Sequence, residues 1–180
     1  MDITNKIENE RKEKDLFFKK HPQSPIPPED RNNFEGINYY PVKSELRFIL
    51  KLHEHKDKKM TEVKDNLGNN QEFICWGEFA FEVDHKQITL QTYKRNSYEE
   101  GLWVPFRDKT NEKETYGAGR YIDLDERSKK SDKWILDFNQ AYNPFCAYSE
   151  AYVCPFIPTE NWIKIKIEAG EKKYHLKNEI

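Results

Sequence analysis

The residue types able to do chemistry crowd into two stretches of the chain. The first, 103–123, reads WVPFRDKTNEKETYGAGRYID, and the second, 137–155, reads DFNQAYNPFCAYSEAYVCP. In the first, Asp108, Thr110, Glu114 and Thr115 precede Tyr116-Gly117-Ala118-Gly119, which leads into Arg120. Arg120 falls in a strand-like run beside Tyr121. If its guanidinium points inward it needs a carboxylate or an anionic ligand, because an unpaired buried charge is very costly. Asp108, Glu114 or Asp137 could be a structural partner; the sharper alternative is an arginine that grips an anion through paired hydrogen bonds. Gly-Ala-Gly lets the backbone come close to a ligand or to another strand. It is no dinucleotide fingerprint, since no strand–turn–helix unit surrounds it, and no P-loop, since no Gly-Lys-Ser/Thr follows.

In the second stretch, Asn139, Tyr142, Asn143 and Tyr148 interleave with Pro144, Phe145 and Cys146. Amide side chains readily bond nearby backbone, so this coil is expected to fold onto the domain as a plug at one barrel end. The compatible functional reading is a pocket wall that aims amide and phenol groups at a polar ligand. Cys146 could act as a nucleophile, which needs a base and an orienting group. None of the histidines (His21, His53, His55, His85, His175) is close to it in sequence, and a buried inert thiol is the simpler reading. Cys146 and Cys154 lack zinc-knuckle spacing, and His53-Glu54-His55 reads equally well as an exposed strand end. No metal site is assigned. Asp108, Glu114, Asp123 and Asp137 could supply a carboxylate pair for hydrolysis.

Composition narrows the partners. The 180 residues suit one domain, 34 % of them charged and 14 % aromatic. That aromatic share argues for a folded chain with a small core, since disordered chains are poor in aromatics. A formal net charge of -2 gives no global field for nucleic acid or an anionic membrane. The odd cysteine count, Cys75, Cys146 and Cys154, is no disulfide framework. MDITNKIENERKEKD has no apolar leader, and no apolar run approaches a membrane span. A cytoplasmic location follows by elimination.

The elements that must position these groups are short. Residues 4–20 read as a charged helix with Thr4 and Asn5 as caps, ended by His21-Pro22. Pro27-Pro28-Glu29-Asp30 could open a helical turn. Residues 1–36 form an arm docked through Phe17, Phe18 and Phe34, and 37–180 form a single β domain. A period of two begins at Leu46, Phe48, Leu50 and Leu52. Asn66-Leu67-Gly68-Asn69 marks a turn. Phe73, Cys75, Gly77, Phe79, Phe81 and Val83 line one face of the next strand, with a bulge at Gly77. Further strands are expected at 101–106, 118–124, 133–138 and 162–168. The fold class is mainly β: an antiparallel β-barrel or sandwich with an N-terminal helical arm.

YYP at 39–41, PFRDKT at 105–110, ETYGAGRYID at 114–123, DFNQAYNPFCAYS at 137–149, CP at 154–155 and AGE at 169–171 together resemble the bacterial and archaeal family catalogued as domain of unknown function 1684 (DUF1684). The resemblance takes in Phe17, Phe18 and Ser24-Pro25 as well, and so nearly the whole chain. It implies that Asp108, Glu114, Tyr116, Arg120, Asp137, Asn139, Asn143, Cys146, Tyr148, Cys154, Asn161 and Glu171 are family-pattern positions. Asn111 stands where the family tends to place glycine, and asparagine also tolerates a left-handed turn. The resemblance implies no reaction, substrate or cofactor. Its pattern contains no histidine, which weighs against a Cys–His nucleophile.

The leading expectation is a small-molecule-binding barrel for a polar or anionic ligand. Its pocket would be lined by Arg120, Tyr116, Asn139, Asn143 and Tyr148, with Asp108, Glu114, Asp137 and Cys146 beside them. The alternatives are a hydrolase using Asp108, Glu114 and Asp137, or Cys146, and a structural or interaction protein. On the leading expectation Arg120→Ala abolishes binding and the fold survives.

Overall fold

A computed structural model describes residues 2–175. Helix α1 spans Ile3–Lys20. Its docked stripe is Ile7, Arg11, Lys14 and Phe18, a spacing that keeps one helical face inward. Ile7, Arg11 and Phe18 are buried. Arg11 donates to the Tyr40 carbonyl at 3.0 Å and lies 4.4 Å from the Tyr39 ring centroid. Lys14 meets the buried Glu171 carboxylate at 2.5 Å. The N-cap is Asp2, without a side-chain capping bond, rather than Thr4 or Asn5; His21, extended before Pro22, ends the helix. Phe18 and Phe34 pack with Ile26, Ile37 and Tyr148. Phe17 instead stays 37 % exposed and stacks on His21 at the helix end. Residues 27–34 form consecutive turns and no helix.

Eight strands follow: β1 (Arg47–Leu50), β2 (His53–Lys64), β3 (Asn70–Val83), β4 (Lys86–Lys94), β5 (Leu102–Phe106), β6 (Arg120–Leu124), β7 (Lys129–Lys130) and β8 (Lys133–Asp137). They make two antiparallel sheets, ordered β2-β3-β4-β5-β6 and β1-β8-β7. The result is a mixed α/β fold of a helix and two sheets, and neither sheet closes into the expected barrel. The outer edge of β6 explains why: Tyr121 exchanges two 2.9 Å backbone bonds with Tyr142, so the coil takes the edge that β2 would need. Both sheets face one apolar core that includes Phe79, Phe81, Leu90, Val104, Phe106, Ile122, Leu136 and Phe138.

The β3–β4 turn places Asp84 and His85 at φ 49° and 59°, the paired left-handed geometry of a tight hairpin. The β2–β3 turn is tied by the Asp65 side chain, which accepts from the amides of Leu67 and Asn69, each at 3.0 Å.

The bulge on β3 decides where the aromatics go. Cys75 opposes Tyr93 and Gly77 opposes Thr92, leaving Trp76 as the extra residue. An extra residue reverses the inward–outward alternation. Phe79, Phe81 and Val83 therefore enter the core. Phe73 and Cys75, expected on that same face, join Val63, Tyr93 and Trp103 on the opposite side of the sheet.

The clean alternation of 162–168 survives as burial of Ile165 and Ile167, yet no strand forms there. The segment is tied to residues 107–109 by a few bonds, such as Lys109 N to Ile165 O at 2.8 Å. Its Ile167 carbonyl turns instead to Arg120 at 2.8 Å.

At Gly77 a Cβ would lie 2.7 Å from the His53 carbonyl oxygen and 2.9 Å from Glu54 Cα, both backbone. Gly77→Ala is expected to destabilise the protein by about 1–3 kcal/mol through overpacking, read as a lower urea midpoint at unchanged slope.

Candidate functional site

The motif residues converge on a buried polar centre. Arg120 is fully buried. Its guanidinium donates to the carbonyls of Ala169, Ile167 at 2.8 Å and Glu171 at 3.2 Å. It also meets Asp108 Oδ1 at 3.3 Å. Asp108 accepts from Ile167 N at 2.7 Å and from the Thr110 hydroxyl at 2.9 Å, and Thr110 bonds Thr115 at 2.8 Å. Desolvation pulls the Arg120 pKa down, and the Asp108 charge opposes that pull. Of the two readings open for Arg120, the geometry is that of a structural ion pair.

The remaining motif side chains are similarly engaged. Glu114 accepts from Tyr40 and Lys166, each at 2.8 Å; the lysine bond first and the tyrosine bond second hold its carboxyl below the usual range. Asp137 pairs with Arg47 at 3.1 Å and accepts from the Asn139 amide at 3.0 Å. Asn139 clamps the Lys43 backbone from both sides at 2.8 Å. Asn143 and Tyr148 gather on Glu171 Oε2, each at 2.7 Å. Asn161 donates to Gln91 O at 2.9 Å and Pro105 O at 2.6 Å and accepts from Gln91 N at 2.8 Å. It thereby bridges β4 and β5, which share only the Tyr93–Trp103 pair.

Gly119, at φ 104°, answers what the Gly-Ala-Gly run approaches. A Cβ there would meet Ile157 Cγ1 at 2.5 Å and the Phe106 carbonyl at 2.8 Å. The neighbours are the protein's own Ile157 side chain and the β5 backbone. Tyr116 and Cys146 lie apart from the Arg120 centre, with hydroxyl and sulfur 3.7 Å from each other. His55 bonds Gln91 at 2.7 Å. Among the described residues, no three His, Cys, Asp or Glu side chains gather as a metal site would need. Among them also, no helix is long and apolar enough to cross a membrane.

An open cleft of about 430 Å³ lies elsewhere, on the outer face of β5 and β6. Phe73, Trp103, Tyr121 and Tyr142 supply its aromatic surface, with Asp123 among them and Arg95, Glu99, Glu100 and Asp125 around it. Strand alternation builds it. Leu102, Val104, Ile122 and Leu124 face the core, which turns Trp103, Tyr121 and Asp123 outward, and Trp103 stands directly across the strand pair from Asp123. Phe73 stacks on Trp103 at 4.7 Å, and Tyr121 meets Trp103 edge-on at 5.0 Å. The Tyr142 hydroxyl donates to Asp123 at 2.6 Å. Asp123 is open to the cleft but crowded beneath. That partial desolvation raises its carboxyl pKa, against the lowering effects of Tyr142 and Lys14. None of Arg120, Tyr116, Asn139, Asn143, Tyr148, Asp108, Glu114, Asp137 or Cys146 lines the cleft. The signal for it lay in the alternation of Trp103 against Val104 and Asp123 against Ile122, together with the face reversal at the bulge.

The family model described as "Protein of unknown function (DUF1684)" matches residues 32–172. The chain belongs to the DUF1684 family. The matched stretch contains the Arg120 centre and every residue lining the cleft; α1 lies outside it. No curated protein matches the chain. It is similar to the solution NMR structure of an uncharacterized protein of Haloarcula marismortui. That likeness has 34% sequence identity and a TM-score of 0.71, and covers 93% of this chain and 92% of that one.

Arg120→Ala is expected to be a stability variant. It strands the buried Asp108 carboxylate and three carbonyls, a loss of about 3–5 kcal/mol for a broken buried pair. Urea unfolding monitored by circular dichroism checks this. A variant as stable as the native protein contradicts the structural role.

Proposed function

We propose that the chain is a binding protein for a small molecule carrying an organic cation, held in the β5–β6 cleft. The observation that carries this reading is the placement of Asp123, exposed and hydrogen-bonded to the neutral Tyr142 hydroxyl, across the strands from Trp103. Aromatic faces attract cations through the ring quadrupole, and a carboxylate beside them supplies the counter-charge. The cleft volume is in the range that small ligands occupy. Its wall already carries a cation of the protein itself: Arg95 Cζ lies 5.0 Å from the Phe73 ring centroid. Four carboxylate residues against one arginine surround the space, although Asp125 is engaged by Arg127 at 2.5 Å. An anionic ligand draws less support, because both terminal nitrogens of the fully buried Arg120 already bond backbone carbonyls and Asp108. A hydrolytic pair from Asp108, Glu114 and Asp137 also draws little, because each holds an arginine, a lysine or a loop amide.

The test is a titration of the full chain with choline and with its uncharged isostere 3,3-dimethylbutan-1-ol, read by NMR at the Trp103 indole N–H. Choline is expected to bind at least about tenfold more tightly, the factor set by roughly 1.4 kcal/mol of cation–π attraction. Equal binding removes the charge preference and leaves a neutral-ligand cleft. No shift with either removes the site.

Protonation supplies a second check. A neutral Asp123 cannot balance a cation, and its pKa is raised. Choline binding is therefore expected to weaken as pH falls, beginning above the ordinary aspartate range. Asp123→Asn is expected to abolish that pH dependence and most of the binding. It should leave thermal stability equal or higher, since it removes a crowded charge. Arg95→Gln is expected to tighten choline binding by removing the resident cation; weaker binding would contradict its role as a competitor.

A further inference from the structure

A pair of thiols sits outside both the Arg120 centre and the cleft lining. Cys146 lies in the 3₁₀ turn Phe145–Ala147, and Cys154 lies in the extended segment that returns past it. The Cys146 amide donates to Cys154 Sγ at 3.4 Å, which brings the two residues into direct contact. On the far side Cys154 is fixed by Asn66: its amide donates to Asn66 Oδ1 at 2.8 Å, and its carbonyl accepts from Asn66 N at 3.2 Å. Cys154 is 9 % exposed and Cys146 half-buried, so the pair is held in place with neither residue fully enclosed. The Tyr116 hydroxyl lies 3.7 Å from Cys146 Sγ and gives that sulfur a polar neighbour.

We propose that Cys154 and Cys146 are a modification site, a dithiol that peroxides oxidise to a disulfide. Cys154 is the attacking sulfur. The Cys146 thiol first, and the backbone amides of Cys146 and Phe145 with it, stabilise its thiolate and lower its pKa, while Cys146 is pushed up. Thiolates, not thiols, are the nucleophiles. The Cys154 sulfur attacks one oxygen of the peroxide: an S–O bond forms, the O–O bond breaks, and the other oxygen leaves as water or an alcohol after taking a proton. The Cys146 sulfur then attacks the sulfenic sulfur: an S–S bond forms, the S–O bond breaks, and water leaves with the Cys146 proton. Two thiols lose two electrons in all, and the peroxide gains them. Exchange with an external thiol restores the dithiol.

The third cysteine is a built-in control. Cys75 donates to Gln91 at 3.4 Å, and burial followed by the charges of Glu160 and Glu78 raises its thiol pKa. The experiment treats the reduced full chain with hydrogen peroxide, blocks remaining thiols by alkylation, and maps peptides by mass spectrometry. A Cys146–Cys154 link with Cys75 still alkylated is expected, and the pair should react at least about tenfold faster than Cys75, following thiolate character. Cys146→Ser should trap the sulfenic acid on Cys154, captured by dimedone. Oxidation of all three cysteines at one rate, or dimedone capture at Cys75 alone, overturns the proposal. The native-chain measurement stands even if the serine variant fails to fold.

Discussion

The Arg120 guanidinium is the interaction on which the molecule's closure depends. The segment 163–171 leaves the sheet pattern, so its carbonyls need donors from elsewhere. A buried carbonyl without a partner is costly. Arg120 supplies three of those donors from one planar group, and Asp108 neutralises it while accepting the Ile167 amide. The same segment brings Glu171 inward, where Lys14, Asn143 and Tyr148 meet it. Helix α1, the coil after β8 and the C-terminal segment are thus joined through one polar chain that begins at Arg120. A lysine could not repeat this, because it lacks the fixed fork of donors.

A second constraint is the bulge at Trp76. It divides β3 between two apolar clusters and so gives the five-stranded sheet an aromatic outer face as well as a packed inner one. Trp76 itself is held between Lys58 and Lys94, at 4.3 and 3.9 Å from its ring. The coil at 142–162 then covers part of that outer face through the Tyr121–Pro155 and Tyr93–Glu160 bonds. The uncovered part is the cleft. Side chains such as Arg120, Asn139 and Asn161 fasten loops to the sheets, and the cleft is built largely from residues that alternate away from the core.

The thiol pair follows from the same coil. Its 3₁₀ turn directs the Cys146 amide toward Cys154, and the Asn66 turn between β2 and β3 fixes Cys154 from behind. Pro155, the next residue, borders the cleft and accepts the Tyr121 hydroxyl. The thiol pair and the cleft are thus neighbours along the chain.

The sequence by itself determined the local elements. Pro22 stopped the helix, Asn66–Asn69 and Asp84-His85 made the hairpin turns, and the alternation of β4, β5 and β6 set which side chains face the core. These are short-range effects of sterics and period, so they can be read without partners. It also marked the two stretches rich in polar and aromatic groups, and the family they resemble. Tertiary structure alone decided what those groups meet. Arg120 had several carboxylates in reach by sequence, and only the path of the C-terminal segment selected Asp108 and three carbonyls. The 162–168 run had a strand's alternation, but without a full ladder of partner bonds no strand could form. Phe73 changed faces because one unpaired residue in a ladder reverses everything before it. Hydrogen-bond partners and sheet closure are set by contacts distant in sequence, and a pattern along the chain carries no record of them.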